Sequence, residues 1–187
     1  MRLVIMGPPG AGKGTQAQVV AAELGVPHIS TGDIFRANVD RGTPLGEEAQ
    51  RYMSAGEYVP DSITPAMVRD RISQDDCTPG FLLDGYPRTL EQVNELDMML
   101  LADEKRVDRV IELTVDTDAV IGRLLKRAQE QGRADDTAEV IRRRLEVYFD
   151  QTAPLTAVYT QRGILVDVDG MGAVAEVTAR ILAAVTT

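Results

Sequence analysis

Five short apolar runs punctuate the chain, at residues 3–6, 26–29, 80–85, 109–115 and 163–168. The stretches between them carry the three-to-four-residue apolar spacing of helices. Residues 16–24 form such a pattern, stopped by Gly25. Ser30-Thr31-Gly32-Asp33 offers an N-cap for a helix to about residue 40, which Gly42-Thr43-Pro44 breaks. Further helices are predicted over 45–54, 62–73, 89–101, 118–131 and 173–184. Another begins at Asp136-Thr137-Ala138-Glu139, which resembles a capping box, and runs to about residue 152, where Pro154 interrupts it. Strands alternating with helices imply a parallel sheet covered on both faces. The expected fold class is therefore α/β: a five-stranded parallel sheet with helices on both faces. The stretch between the second strand and the helix at 62 holds two short helices and the loop Glu57-Tyr58-Val59-Pro60 but no strand, so it is expected to form a lobe off the sheet.

The first strand runs straight into Gly7-Pro8-Pro9-Gly10-Ala11-Gly12-Lys13-Gly14-Thr15, and a helix follows. Strand, glycine loop and helix in that order make a phosphate-binding loop. Glycines let backbone N–H groups close around an oxyanion, the helix start adds unsatisfied N–H groups, and Lys13 adds a point charge suited to the outer phosphates. One position departs from the general pattern: Gly14 stands where a hydroxyl usually follows the lysine, and Thr15 comes one step later. Asp84 closes the third apolar run, as the metal-side acid of phosphate-loop proteins does. The turn Gly85-Tyr86-Pro87-Arg88 then directs Arg88 to the edge of the sheet where ligands bind in such folds.

Composition adds a constraint. The 187 residues suit one domain, and the net charge of −9 argues against a nucleic-acid partner, which needs a basic footprint. A protein this acidic that binds phosphates must gather its cations locally. Of the basic residues only Lys13, Lys105 and Lys126 are lysines; the rest are arginines, which suit bidentate phosphate contacts. Arg123 and Arg127 share a helix face, Arg133 follows, and Arg142-Arg143-Arg144 point in three directions, so spacing alone does not say which of them reaches a site. Cys77 is alone, giving neither a disulfide framework nor a zinc cluster, and no stretch approaches ~18 apolar residues. These features predict a soluble cytoplasmic protein with no membrane partner. His28, the single histidine, falls in a short apolar strand and is expected to be packed or hydrogen-bonded rather than catalytic.

Taken together, Gly7 to Thr15, Ile29-Ser30-Thr31-Gly32-Asp33 with Arg36, Leu83-Asp84-Gly85-Tyr86-Pro87-Arg88 with Gln92, and Arg133-Ala134-Asp135-Asp136 with Arg144 resemble the adenylate kinases, of the bacterial type in a short-lid form. The resemblance implies the architecture of a phosphate-loop nucleoside monophosphate kinase. Its core would span residues 1–29, 60–125 and 137–187, its monophosphate-binding lobe 30–59 and its short lid 126–136. It implies reversible phosphoryl transfer from Mg·ATP to AMP, giving two ADP, by a monomer. ATP would bind Gly10, Ala11, Gly12, Lys13, Gly14, Thr15 and Arg127, with the backbone of Gly172 at its adenine. AMP would bind Thr31, Arg36, Glu57, Tyr58, Val59, Gly85, Tyr86, Pro87, Arg88 and Gln92. Lys13, Arg88, Arg123, Arg133 and Arg144 would surround the transferring group, Arg133 and Arg144 also facing AMP. Asp33 and Asp84 would hold Mg²⁺ through water, which fits a cation that keeps several of its waters and accounts for Gly14 in the hydroxyl's slot.

Two features depart from relatives. Only Ala128-Gln129-Glu130-Gln131-Gly132 joins Arg127 to Arg133, too little for a long lid or its structural zinc. Glu57 stands where some relatives have lysine. The alternatives are a kinase for UMP, CMP or another monophosphate, and a phosphate-loop nucleotide switch; the latter is disfavoured by Gly14 and by the lack of an Asn-Lys-x-Asp tetrapeptide.

Overall fold

The computed structural model describes residues 1–116, 120, 122–124 and 137–186. The expected lid at 126–136, Arg127, Arg133 and most of the helix expected over 118–131 lie outside them. The described strands are β1 (Arg2–Met6), β2 (His28–Ser30), β3 (Phe81–Asp84), β4 (Arg109–Thr114) and β5 (Leu165–Asp169). They form one parallel sheet in the order β2-β3-β1-β4-β5, the five-stranded α/β fold that the spacing predicts. The helices are α1 (Lys13–Leu24), α2 (Thr31–Asp40), α3 (Pro44–Ala55), α4 (Thr64–Ile72), α5 (Leu90–Leu101), α6 (Ala138–Val147), α7 (Leu155–Gln161) and α8 (Val174–Thr186).

Alternate residues of β1 serve two separate cores, which is why the strand reads as an unbroken apolar run. Leu3 and Ile5 pack with Ala17 and Val20 of α1 and Ile181 of α8. Val4 and Met6 pack on the opposite face with Leu96 of α5 and Leu155 and Tyr159 of α7. A third, small cluster of Phe35, Ala49 and Val59 holds α2 against α3 at the end of β2. No described helix is long and apolar enough to cross a membrane.

Three boundaries differ from expectation for local reasons. Val26 is not in β2, because its N–H closes the end of α1 on the Ala21 carbonyl at 3.0 Å behind the left-handed cap Gly25. The chain from Pro60 forms a turn, with the Ile63 N–H on the Pro60 carbonyl at 3.0 Å, so α4 starts at Thr64 rather than 62. The cap of α6 is Thr137, whose hydroxyl accepts from the Val140 N–H at 3.3 Å. Upstream of Pro154 the chain widens into a π turn over Tyr148–Thr152, with the Ala153 N–H reaching the Tyr148 carbonyl at 2.9 Å.

Glu112 on β4 and Asp167 on β5 are register partners. Burial, reinforced by the Asp167 carboxylate, pushes the Glu112 carboxyl up to about 7. The folded protein therefore keeps a proton that the unfolded chain sheds near the ordinary carboxylate value, and stability falls as pH rises through that window. Glu112→Gln is expected to leave the melting temperature nearly unchanged at pH 5 and raise it by roughly 2–4 °C at pH 8. Equal shifts at both pH values in a melting experiment would contradict this account.

Candidate functional site

The site lies at the C-terminal ends of β1 and β3, where the chain's crossovers diverge to opposite edges of the sheet, the crevice at which open α/β sheets bind ligands. From β1 the glycine loop rises and turns into α1. Gly10 has φ +85°, and a Cβ there would come within 2.8 Å of Leu124, so this position needs glycine for both its conformation and its packing. Gly12 precedes α1 with no side-chain cap, and the first turn of the helix holds no acid, a helix start that suits an anion. Lys13 arches back over the loop, its Nζ donating to the carbonyls of Gly7 at 2.7 Å and Pro8 at 3.0 Å.

Two cavities open here. The wider, of about 710 Å³, is lined by Gly10, Gly12, Gly14 and Thr15 of the loop and by Asp33, Asp84 and Arg123. The narrower, of about 120 Å³, is bounded by Thr31, Glu57, Tyr58, Val59, Pro87 and Gln92. Both are also lined by Lys13, Arg36, Gly85, Arg88 and Arg144, so they meet at four half-buried cations from four parts of the chain. The narrower space is below the ~300 Å³ at which ligand pockets usually begin.

Arg88 is braced at its side chain and at its main chain. Its Nε donates to the Gly85 carbonyl at 2.7 Å, and its guanidinium lies 4.6 Å from the centre of the Tyr58 ring. Its own carbonyl accepts from the Thr152 hydroxyl at 2.9 Å, and that hydroxyl bonds the Tyr58 hydroxyl at 2.7 Å. The π turn ahead of Pro154 thus delivers Thr152 to the wall of the narrower cavity. Gly85 has φ +83°, and a Cβ there would sit 2.7 Å from the Thr31 hydroxyl and 2.8 Å from the Arg88 guanidinium. Thr31 donates to the Gly85 carbonyl at 3.0 Å, tying the start of α2 to the end of β3.

Asp84 is 8 % exposed at the end of β3. A Cβ on Gly14 would lie 3.5 Å from its Oδ2, so the slot that a hydroxyl would occupy faces this carboxylate directly. Asp33 also lines the wider cavity and pairs with Arg36 at 2.6 Å. No group of three or more His, Cys, Asp or Glu side chains converges on a metal position among the described residues. Two carboxylates are oxygen donors that suit a hard cation such as Mg²⁺, which completes its coordination with other oxygens.

Several expected residues stand elsewhere. Tyr86 is 1 % exposed and packs in the core with Val93 and Leu96, so it does not line the narrower cavity: β3 and the turn alternate direction, sending its ring inward while Gly85 and Arg88 face out. Ala11 keeps its place in the loop, but its side chain packs into the core and its N–H donates to the Pro8 carbonyl at 3.1 Å. Gly172 lines neither cavity, although its loop touches the site, with the Arg123 guanidinium 3.6 Å from the Met171 sulfur. His28, expected to be packed or hydrogen-bonded, is packed: its Nε2 is buried 3.6 Å from Asp84 without a hydrogen bond, and the residue borders the wider cavity. The Glu57 carboxylate is held by Arg143 at 2.7 Å, which assigns two members of the charged set: Arg143 to the lobe, Arg144 to the junction. Sequence reasoning missed Thr152, Tyr148 and Asp61. Asp61, following Pro60 before a helix, gives only the signal of an ordinary cap.

The sequence model of a family described as adenylate kinase matches residues 5–164. A protein of Nocardioides sp. named adenylate kinase is 63 % identical over 184 residues, 98 % of this chain and 96 % of that protein. One from Kocuria rhizophila with the same name is 61 % identical over 183 residues, 98 % of this chain and 97 % of its own, and one from Thermobifida fusca is 55 % identical over 184 residues, 98 % and 97 %.

Proposed function

The chain belongs to the adenylate kinase family, and we propose from that premise how its two cavities divide the reaction. The protein is a phosphotransferase that moves the terminal phosphoryl group of ATP reversibly to AMP, giving two ADP. The observation that carries the division of labour is the meeting of the two cavities at Lys13, Arg36, Arg88 and Arg144 in a chain of net charge −9.

The wider cavity takes ATP, its phosphates in the loop Gly10 to Thr15. The narrower one takes AMP, its phosphate between Arg36 and Arg88 and its base against Gln92, Thr31 and the backbone of residues 57–59, with 30–59 moving as the lobe. Arg127 and Arg133, outside the described residues, belong to the same reading as part of the lid at 126–136. An acceptor phosphate is already ionised, so no general base is required; the task is to align two polyanions and neutralise charge on the oxygens of the transferring group. Lys13 sits nearest the donor phosphates, Arg88 nearest the acceptor, and Arg123 and Arg144 close the sides. Asp84, with Asp33, would hold Mg²⁺ through water, and the ion would supply positive charge to the donor phosphates. A single buried cysteine, the acidic surface and the family support a monomer acting in the cytoplasm without nucleic-acid or membrane partners.

Comparing AMP, UMP, CMP and GMP as acceptors with Mg·ATP tests the assignment. AMP is expected to be preferred by roughly 10² or more in kcat/KM; a preference for UMP would overturn it. Two adenosines bridged by five phosphates should bind one per protein and compete with both substrates at once.

A further inference from the structure

Asp61 lines neither cavity, yet it holds two groups that shape the narrower one. Its Oδ2 accepts from the Thr89 hydroxyl at 3.0 Å, and the same hydroxyl caps α5 by accepting from the Gln92 N–H at 3.2 Å. Its Oδ1 accepts from the side-chain Nε2 of Gln92. On its other side the Gln92 Oε1 accepts from the Arg88 N–H at 2.8 Å. Gln92 is 1 % exposed, so its amide has few other partners and lies in the wall of the cavity.

The two contacts leave the amide a single sense. A backbone N–H only donates and a carboxylate only accepts. Turning the amide over would set its NH₂ against the Arg88 N–H and its oxygen against Asp61, two buried polar mismatches. Held this way, Gln92 offers the cavity its remaining N–H and its remaining oxygen lone pair in a fixed order. That order complements a ring nitrogen acceptor beside an exocyclic amine, the N1 and 6-amino edge of adenine. It opposes an N1–H beside a carbonyl, the edge of a 6-oxopurine. We infer that Asp61 is a specificity-determining positioning residue: by locking the sense of the Gln92 amide it makes the acceptor site read a 6-aminopurine monophosphate and reject a 6-oxopurine one.

The inference rests on the acceptor reading above, and the test separates the two. Steady-state kinetics with AMP and with inosine 5′-monophosphate, at saturating Mg·ATP, are measured for the wild type, Asp61→Ala, Asp61→Leu and Asp61→Asn, with melting temperatures alongside. Leucine has the length and branching of aspartate and keeps the space filled should alanine unfold the turn. Alanine and leucine are expected to lower kcat/KM for AMP about tenfold while leaving that for the inosine nucleotide unchanged or higher, so that the selectivity ratio collapses by about tenfold or more. Asparagine, which can keep its oxygen toward Gln92 and its amide toward the Thr89 hydroxyl, should restore most of the ratio. A merely structural role would depress both acceptors by the same factor, and that result in a folded leucine variant overturns the inference. If the wild type itself fails to use AMP, the acceptor reading falls instead.

Discussion

Replacing Lys13 with alanine should lower transfer from ATP to AMP on the order of 10³-fold while the protein stays folded. The Lys13 ammonium arches over the glycine loop where the two cavities meet, on carbonyls of its own loop. Exchanging those hydrogen bonds for water costs about 1 kcal/mol each at most, since the group is half-exposed. The loss of rate comes from elsewhere: a cation placed beforehand against charge that develops on the transferring group needs no reorganisation when the reaction occurs. Lys13→Arg keeps the charge but replaces a compact ammonium with a planar fork at the tightest part of the loop, and should recover only a small part of the rate. Activity within tenfold of wild type for the alanine variant, with an unchanged melting temperature, would remove Lys13 from the reaction.

Arg88→Ala should cost roughly 10²–10³ in turnover, with KM rising for AMP and staying nearly level for ATP. The asymmetry follows from position. Arg88 stacks on Tyr58 and grips the Gly85 carbonyl at the wall of the narrower cavity, while its main chain is fixed independently by Gln92 and Thr152. Removing the guanidinium therefore leaves the wall standing and takes away only the charge. Lysine at this position retains the charge without the flat face that lies on Tyr58 or the paired donors for a phosphate. A rise in KM for ATP equal to that for AMP would place Arg88 on the wrong side of the junction.

The parts of the site legible in the sequence are those whose chemistry is local. Gly7 to Thr15 announces itself because a strand, a tight backbone and a lysine must be contiguous to surround a phosphate, and Asp84 does so because it ends an apolar strand of a parallel sheet. What was not legible depends on contacts that only packing creates. Asp61 meets Gln92 across 31 residues, Thr152 meets Arg88 across 64, and Glu57 meets Arg143 across 86. Tyr86 shows the opposite failure: flanked by Gly85 and Arg88 it reads as a cavity residue, but in the turn it points to the core. In the arginine run, spacing set out three directions and left the choice open; only the position of α6 beside the lobe separates Arg143 from Arg144.

That separation depends on phase. Successive residues on a helix differ by about 100° around its axis, so Arg143 can hold the lobe while Arg144 faces the junction. The rotation of α6 is fixed by its buried residues Ile141 and Val147, while the Thr137 hydroxyl closes its first turn. Inserting or deleting one residue between Thr137 and Arg143 would turn both guanidiniums off their targets together. Lengthening the chain ahead of Thr137 would turn neither. A change of length ahead of Thr137 would therefore act on Arg127 and Arg133 and leave Arg143 and Arg144 in phase.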